Sequence, residues 1–145
     1  MKSHNIVLSA LMFAIMLLIS CVSSKQPNKN VEPKQMIIRI SEIEIHPAYL
    51  EEYNAILKEE AEASVRLELG VICIYPMYKK ESPSEIRILE MYANREAYEV
   101  HLKTPHFQKY KTTTLKMVKS LRLIDMNAID PQTMPQIFSK MRRKQ

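Results

Sequence analysis

The chain has one glycine, no tryptophan and two cysteines among its 145 residues. A single glycine excludes the common nucleotide-cofactor motifs. A phosphate-binding loop, a dinucleotide fingerprint or a nucleophile elbow each needs several glycines, for tight turns and close backbone approach. Two cysteines, Cys21 and Cys73, cannot build a disulfide framework. Cys73 sits in the apolar run VICIY, where a buried, inert thiol is expected rather than a nucleophile. The charge excess is small, +5 at neutral pH. No basic groove with interleaved aromatics is present, so nucleic acid is not an expected partner. The length leaves room for one domain and little more.

The first residues stand apart from that domain. After Lys2 and His4, residues 6–19 are nearly unbroken apolar sequence. The run falls short of the ~20 residues that span a membrane comfortably. With its basic start and small residues near the end it reads as a secretory signal peptide, residues 1–20. Leu18-Ile19-Ser20-Cys21 resembles the bacterial lipobox, whose cysteine becomes the lipidated first residue of the mature protein, so Cys21 is the expected lipidation site. Loss of residues 1–20 lowers the charge to +4, because Lys2 is the only charged side chain removed. Residues 22–35, VSSKQPNKNVEPKQ, are polar and aperiodic with two prolines. Together with Cys21 they form an expected tether, reaching roughly 20 Å on average. Basic residues in the tether and near the C-terminus favour anionic headgroups. The expected location is the cell envelope, with a lipid anchor in a bacterial membrane.

Residues 36–129 carry the domain. In 36–45 the apolar residues Ile38, Ile40, Ile43 and Ile45 alternate with polar ones, with one slip of phase near Ser41 and Glu42 that suggests a bulge or a change of exposure. Residues 48–69 place Leu50, Tyr53, Ile56, Leu57, Ala61 and Val65 on one helical stripe, with acids opposite. Gly70 follows, at the place of a left-handed helix cap. Residues 71–78 read as a strand buried on both faces, Pro76 marking a bulge or edge. Residues 79–84 form a hairpin loop. In 85–92, Ile86, Ile88, Glu90 and Tyr92 share one face, and Arg87, Leu89 and Met91 the other. Asn94 is a candidate cap for a helix over 95–103. Pro105 then divides it from a second helical piece reaching about residue 118. A last strand covers 120–129, and residues 130–145 read as a frayed tail in preference to an arm lying on the partner subunit. The order β-α-β-β-α-β is that of a ferredoxin-like α+β fold: a four-stranded antiparallel sheet with the helices on one face. Its second face holds too much apolar surface for water, which predicts a two-fold dimer packed sheet to sheet.

Glu90 and Tyr92, on the helix-facing side, and Tyr98 and His101, on one stripe of the next helix, point into the same space between sheet and helix. A carboxylate beside an imidazole sets its tautomer and raises its basicity, as a general base requires. A tyrosine there could donate to a developing oxyanion. The same residues also fit a plain core, with a charge-cancelling glutamate, a packed tyrosine and a hydrogen-bonded histidine. His106 caps the second helical piece or closes the pocket mouth. His101 and His106 lie five apart across Pro105, unlike the i, i+4 pair of a helical zinc site, and no third ligand is evident; no metal is expected.

Glu68-Leu69-Gly70-Val71 leading into a strand, Ile88-Leu89-Glu90-Met91-Tyr92, His101, and Thr104-Pro105-His106-Phe107 together resemble the antibiotic biosynthesis monooxygenase family, particularly its quinol monooxygenases. The family pattern is an E-x-G turn, an E-x-W or E-x-Y at the end of the third strand, and H-x-x-[ST]-x-H-F. The resemblance covers residues 36–128 and implies a dimeric α+β barrel. It implies oxygenases that use no metal or flavin, alongside isomerases and haem-degrading relatives. His101 matches the helix histidine that serves as base, and Glu90 and His106 match the other recurring polar positions. Tyr92 stands where a tryptophan is frequent, and residues 36–45 hold no asparagine; both departures speak against haem degradation. The expectation is a cofactor-independent monooxygenase acting with dioxygen on a small aromatic or quinol-like substrate. His101, Glu90 and Tyr92 are its catalytic residues, and Tyr75, Tyr98, His106 and Phe107 contact the substrate. An isomerase using the same pocket, and a non-catalytic dimeric binding module, are the alternatives.

Overall fold

In the computed structural model, which describes residues 35–142, β1 spans Ile37–Ile45 and its side chains alternate strictly. Arg39, Ser41, Ile43 and Ile45 are buried against the helices, while Ile38, Ile40, Glu42 and Glu44 face the other way. The expected slip near Ser41 is therefore the change of exposure and not the bulge: the isoleucines pass from the outer face to the inner one, while β1 pairs without a break against β3 from Ile37 to Glu44. Two polar side chains occupy the inner face where a purely apolar count looks for isoleucines. The one irregularity of β1 lies at its end, between Glu44 and Ile45 on the β4 side.

A 3₁₀ turn, Pro47–Tyr49, leads into α1, Leu50–Leu67. The stripe of α1 that meets the sheet is Tyr53, Leu57, Glu60, Ala61 and Ser64, whereas Val65, expected on it, is exposed. β2 (Val71–Lys79) and β3 (Ser82–Tyr92) form a hairpin tighter than the expected loop, turning at Lys80 and Glu81. Next come α2 (Arg95–His101), α3 (Pro105–Thr114) and β4 (Val118–Met126). The sheet is antiparallel in the order β2-β3-β1-β4, the expected ferredoxin-like arrangement. β2 is an edge strand, which accommodates Pro76, and it is not buried on both faces as its apolar composition suggests.

The core lies between α1 and the sheet, built on Tyr53, Leu57, Ile43, Ile45, Ile86, Ile88 and Met117. Full burial of each such side chain contributes about 1.5–3 kcal/mol. On the far face Ile38, Ile40, Tyr75, Met77 and Leu89 remain partly or fully open. Beyond β4 a helix, α4 (Thr133–Arg142), replaces the expected frayed tail. Asp130 accepts from the Gln132 amide at 3.0 Å and from the Thr133 hydroxyl, and Met134, Ile137, Phe138 and Met141 fall at helical spacing. Among the described residues no helix is long and apolar enough to cross a membrane. The signal peptide, Cys21 and the tether up to residue 34 lie outside the described residues.

Candidate functional site

Three short segments place the site. Helix α1 ends at Leu67, and the Glu68 amide donates to the Ser64 carbonyl at 3.1 Å. Glu68 is extended, and its own carbonyl accepts from Val71. Gly70, expected as a left-handed cap, has no positive φ. Its lack of a side chain has another cause: a Cβ there would collide with the Cβ of Ala97 on α2. That close approach, with Ala93 N–H donating to the Gly70 carbonyl at 2.8 Å, seats α2 against the end of α1.

Asn94 caps α2 as expected, its side chain accepting from the Ala97 amide at 2.9 Å. Thr104 rather than His106 caps α3. The Thr104 hydroxyl donates to the His101 carbonyl at 2.8 Å and accepts from the Phe107 amide at 3.4 Å, so it ties the end of α2 to the start of α3. His101 and His106 are thereby held on either side of Pro105, with ring centroids 6.4 Å apart.

Both imidazoles address one carboxylate, and it is not the expected one. His101 Nδ1 lies 3.0 Å from Glu68 Oε1, and His106 Nε2 lies 2.6 Å from the same oxygen. A carboxylate oxygen accepts, so each of these ring nitrogens acts as an N–H donor. His101 Nε2, on the other side of its ring, is 3.8 Å from Glu60 Oε1. Glu60 is buried and accepts from the Ser64 hydroxyl at 2.7 Å. Burial pushes the Glu60 carboxyl up, against Ser64, His101 and His106, which hold it down. Only 2% of His101 is exposed, with Phe107 and Tyr92 packed at ring-centroid distances of 4.7 and 5.3 Å.

Glu90, the expected orienting carboxylate, is engaged elsewhere. It accepts from the Ser41 hydroxyl and, at 2.9 Å, from the Tyr92 hydroxyl. Tyr92, its partner, is the residue that packs on His101. Burial, then the Glu90 carboxylate, pushes the Tyr92 hydroxyl well above the usual tyrosine range, so it stays a proton donor. Tyr98 accepts from Arg39 at 2.9 Å, and Arg39 also bonds Asp125 at 2.8 Å. Tyr98 packs on Tyr92 at 5.2 Å. Tyr75 does not belong to this site. It pairs across from Leu89 on the open face of the sheet and is 58% exposed. Cys73 Sγ lies 3.8 Å from the Leu89 carbonyl, and burial pushes its thiol up, as befits an unreactive side chain.

Sequence reading thus brings together His101, Tyr92, Tyr98, His106 and Phe107, and misses Arg39, Ser41, Glu60 and the role of Glu68. A parity signal was available for two of them, since Arg39 and Ser41 lie in step with Ile43 and Ile45. Two clefts on the surface, one of about 600 Å³ between α1 and β2 and one of about 550 Å³ around Glu42 and Arg122, do not include His101, Glu68 or Glu90.

Fold and site together define a ferredoxin-like α+β protein with an internal histidine–carboxylate site. Residues 36–113 match the family model described as antibiotic biosynthesis monooxygenase, and the chain belongs to that family. A crystal structure from Bacteroides thetaiotaomicron VPI-5482, provisionally named an antibiotic biosynthesis monooxygenase, shares 50% identity over 69% of this chain and 95% of its own, with a TM-score of 0.68. A protein of Lactobacillus acidophilus NCFM, provisionally named a monooxygenase, shares 32% identity over 63% of this chain at a TM-score of 0.62; the match takes in 43% of that longer chain. A Nitrosomonas europaea protein at 17% identity, matched over 67% of this chain and 93% of its own, shares the fold with a TM-score of 0.63. No curated protein matches the chain.

Proposed function

We propose that this protein is a monooxygenase that oxidises a small phenolic or quinol-like substrate with dioxygen, without a cofactor, and that His101 is its general base. The observation carrying this reading is the buried pair of His101 Nδ1 and Glu68 Oε1 at 3.0 Å. With the Nδ1–H hydrogen-bonded to Glu68, Nε2 is the lone-pair nitrogen, on the buried side of the ring that faces Glu60. Nε2 removes the substrate's hydroxyl proton, and the Tyr92 hydroxyl, which rests on Glu90, turns its one proton from that carboxylate to the oxyanion as it forms. The electron-rich anion then reacts with dioxygen directly. One phenol and one dioxygen yield one quinone and one water, so the substrate supplies every electron. His106 and Phe107, partly exposed at the start of α3, form the side facing solvent.

Two further features fit this reading. A two-fold dimer would cover the apolar outer face of the sheet. Lipidation at Cys21 and the tether of residues 22–35 would set the domain at a bacterial membrane surface, where quinones reside.

The test is oxygen uptake with a set of quinols and phenols. Wild type consumes oxygen, His101→Ala loses about 10²-fold or more, and Tyr75→Ala stays near wild type. Uptake undiminished in His101→Ala would remove the base. No uptake with any quinol, but interconversion of keto compounds, would make the protein an isomerase. Inertness in both assays with retained binding of apolar ligands would leave a binding module.

A further inference from the structure

We propose that Glu68, His101 and His106 form a site for a divalent transition-metal ion. Their ligand atoms, one carboxylate oxygen and two imidazole nitrogens, all lie within 4.8 Å of one another. A zinc ion with bonds of about 2.0–2.2 Å brings its ligands to separations of roughly 3–4 Å, so small rotations of the three side chains complete the geometry. Two histidines and a carboxylate are a donor set that suits zinc, iron(II) and their neighbours rather than magnesium or calcium.

Two further observations point to a cation rather than a hydrogen-bonded cluster. The Glu68 side chain is nine-tenths buried, yet both imidazoles address Oε1, and Oε2 is buried without a hydrogen-bond partner. A buried carboxylate oxygen left unpaired is expensive, and a cation held by the same carboxylate relieves it. Behind His101 stands Glu60, with Oε1 3.8 Å from the Nε2 that a metal on Nδ1 would leave protonated, and Ser64 fixes Glu60 in turn. Metal-bound histidines ordinarily present their second nitrogen to a carboxylate in this way. The site draws on three segments that converge only in the fold, with Glu68 33 residues from His101 and 38 from His106.

The inference stands apart from the proposed base, and the two exclude each other at any one moment. The base needs its free lone pair on Nε2; the metal takes the lone pair of Nδ1 and leaves the proton on Nε2. Metal and base catalysis therefore compete for one imidazole, and a bound ion acts as an inhibitor.

The experiment is equilibrium dialysis and calorimetry of the purified protein with zinc alone, in the absence of substrate. One zinc per chain is expected, with a rise in Tm. Glu68→Gln and His106→Ala should each weaken binding by at least 100-fold, and Glu60→Gln, which keeps all three ligands, by 10–100-fold. His46→Ala and Cys73→Ser, outside the cluster, should leave it unchanged. Should Glu68→Gln fail to fold, cobalt(II) added to wild type reads the site through its visible spectrum, in which nitrogen and oxygen ligation without a thiolate band is expected. Absence of saturable zinc binding, or binding undiminished in both Glu68→Gln and His106→Ala, would overturn the proposal. Because no turnover is read, this result is independent of whether His101 is a base.

Discussion

The hydroxyls of Tyr53 on α1 and Tyr110 on α3 lie 2.6 Å apart, closing one hydrogen bond between two helices inside the core. Burial pushes the Tyr110 hydroxyl up to about 12, although its bond to Tyr53 pulls the other way. Tyr53, fully buried, is pushed up as well, by burial first and then by Tyr110. An unfolded tyrosine ionises near ~10. The folded state thus holds its protons to higher pH than the unfolded one. The stability contributed is complete below pH ~10 and is lost as pH rises through about 12. Thermal unfolding followed from pH 8 upward should show Tm falling steeply above pH ~10, and Tyr53→Phe,Tyr110→Phe together should flatten that fall. At neutral pH, Tyr53→Phe alone leaves the Tyr110 hydroxyl unpaired and lowers stability by about 1–3 kcal/mol; the double variant should lose less than twice that.

Glu68 and Glu90 are separable by the same substitution. Glu90→Gln keeps an oxygen for the Tyr92 hydroxyl and leaves the Glu68–His101 bond in place, so oxygen uptake should stay within about tenfold of wild type. Glu68→Gln removes the charge that faces Nδ1, and uptake should fall about 10²-fold or more. The reverse order of effects would restore Glu90 as the partner of the base. Glu90→Leu, by contrast, strands two buried hydroxyls on Ser41 and Tyr92, and its urea midpoint should report a loss of about 2–5 kcal/mol.

Gly70→Ala is expected to destabilise through overpacking, not through backbone strain. The added methyl meets the Ala97 side chain, and the loss should be about 1–3 kcal/mol. Ala97→Gly opens the same space, so the double variant should recover part of the loss made by Gly70→Ala. Simple additivity in denaturant titrations would show that the two side chains do not meet.

Most local structure was legible because its causes are local. Asn94 caps the helix it precedes, Pro105 opens a second helix, and the alternation of residues 85–92 puts Ile86, Ile88, Glu90 and Tyr92 on one face. In the tail, the spacing of Met134, Ile137, Phe138 and Met141 is the local signal for the helix that a reading as a frayed end passes over. The phase slip in β1 is a change of exposure and not a bulge: Ile38 and Ile40 serve the outer face, while Arg39 and Ser41 turn inward with Ile43 and Ile45, placed by parity and not by polarity. Glu60 hid among the acids of α1 for the same reason, since its position one turn from Leu57 and Ser64 outranks its charge. Glu68 was visible in the E-x-G turn, but nothing local says that its side chain reaches across to two histidines on other helices. Such convergence is a property of tertiary packing, set by how closely Gly70 lets α2 approach.

The hydroxyl of Thr104 has a mechanical consequence. A break between two short helices ordinarily lets each swing independently. Here one oxygen clamps the last carbonyl of the first to an early amide of the second, so the two imidazole rings travel together as a jaw, and whatever pries that jaw open separates both from their common carboxylate in a single motion.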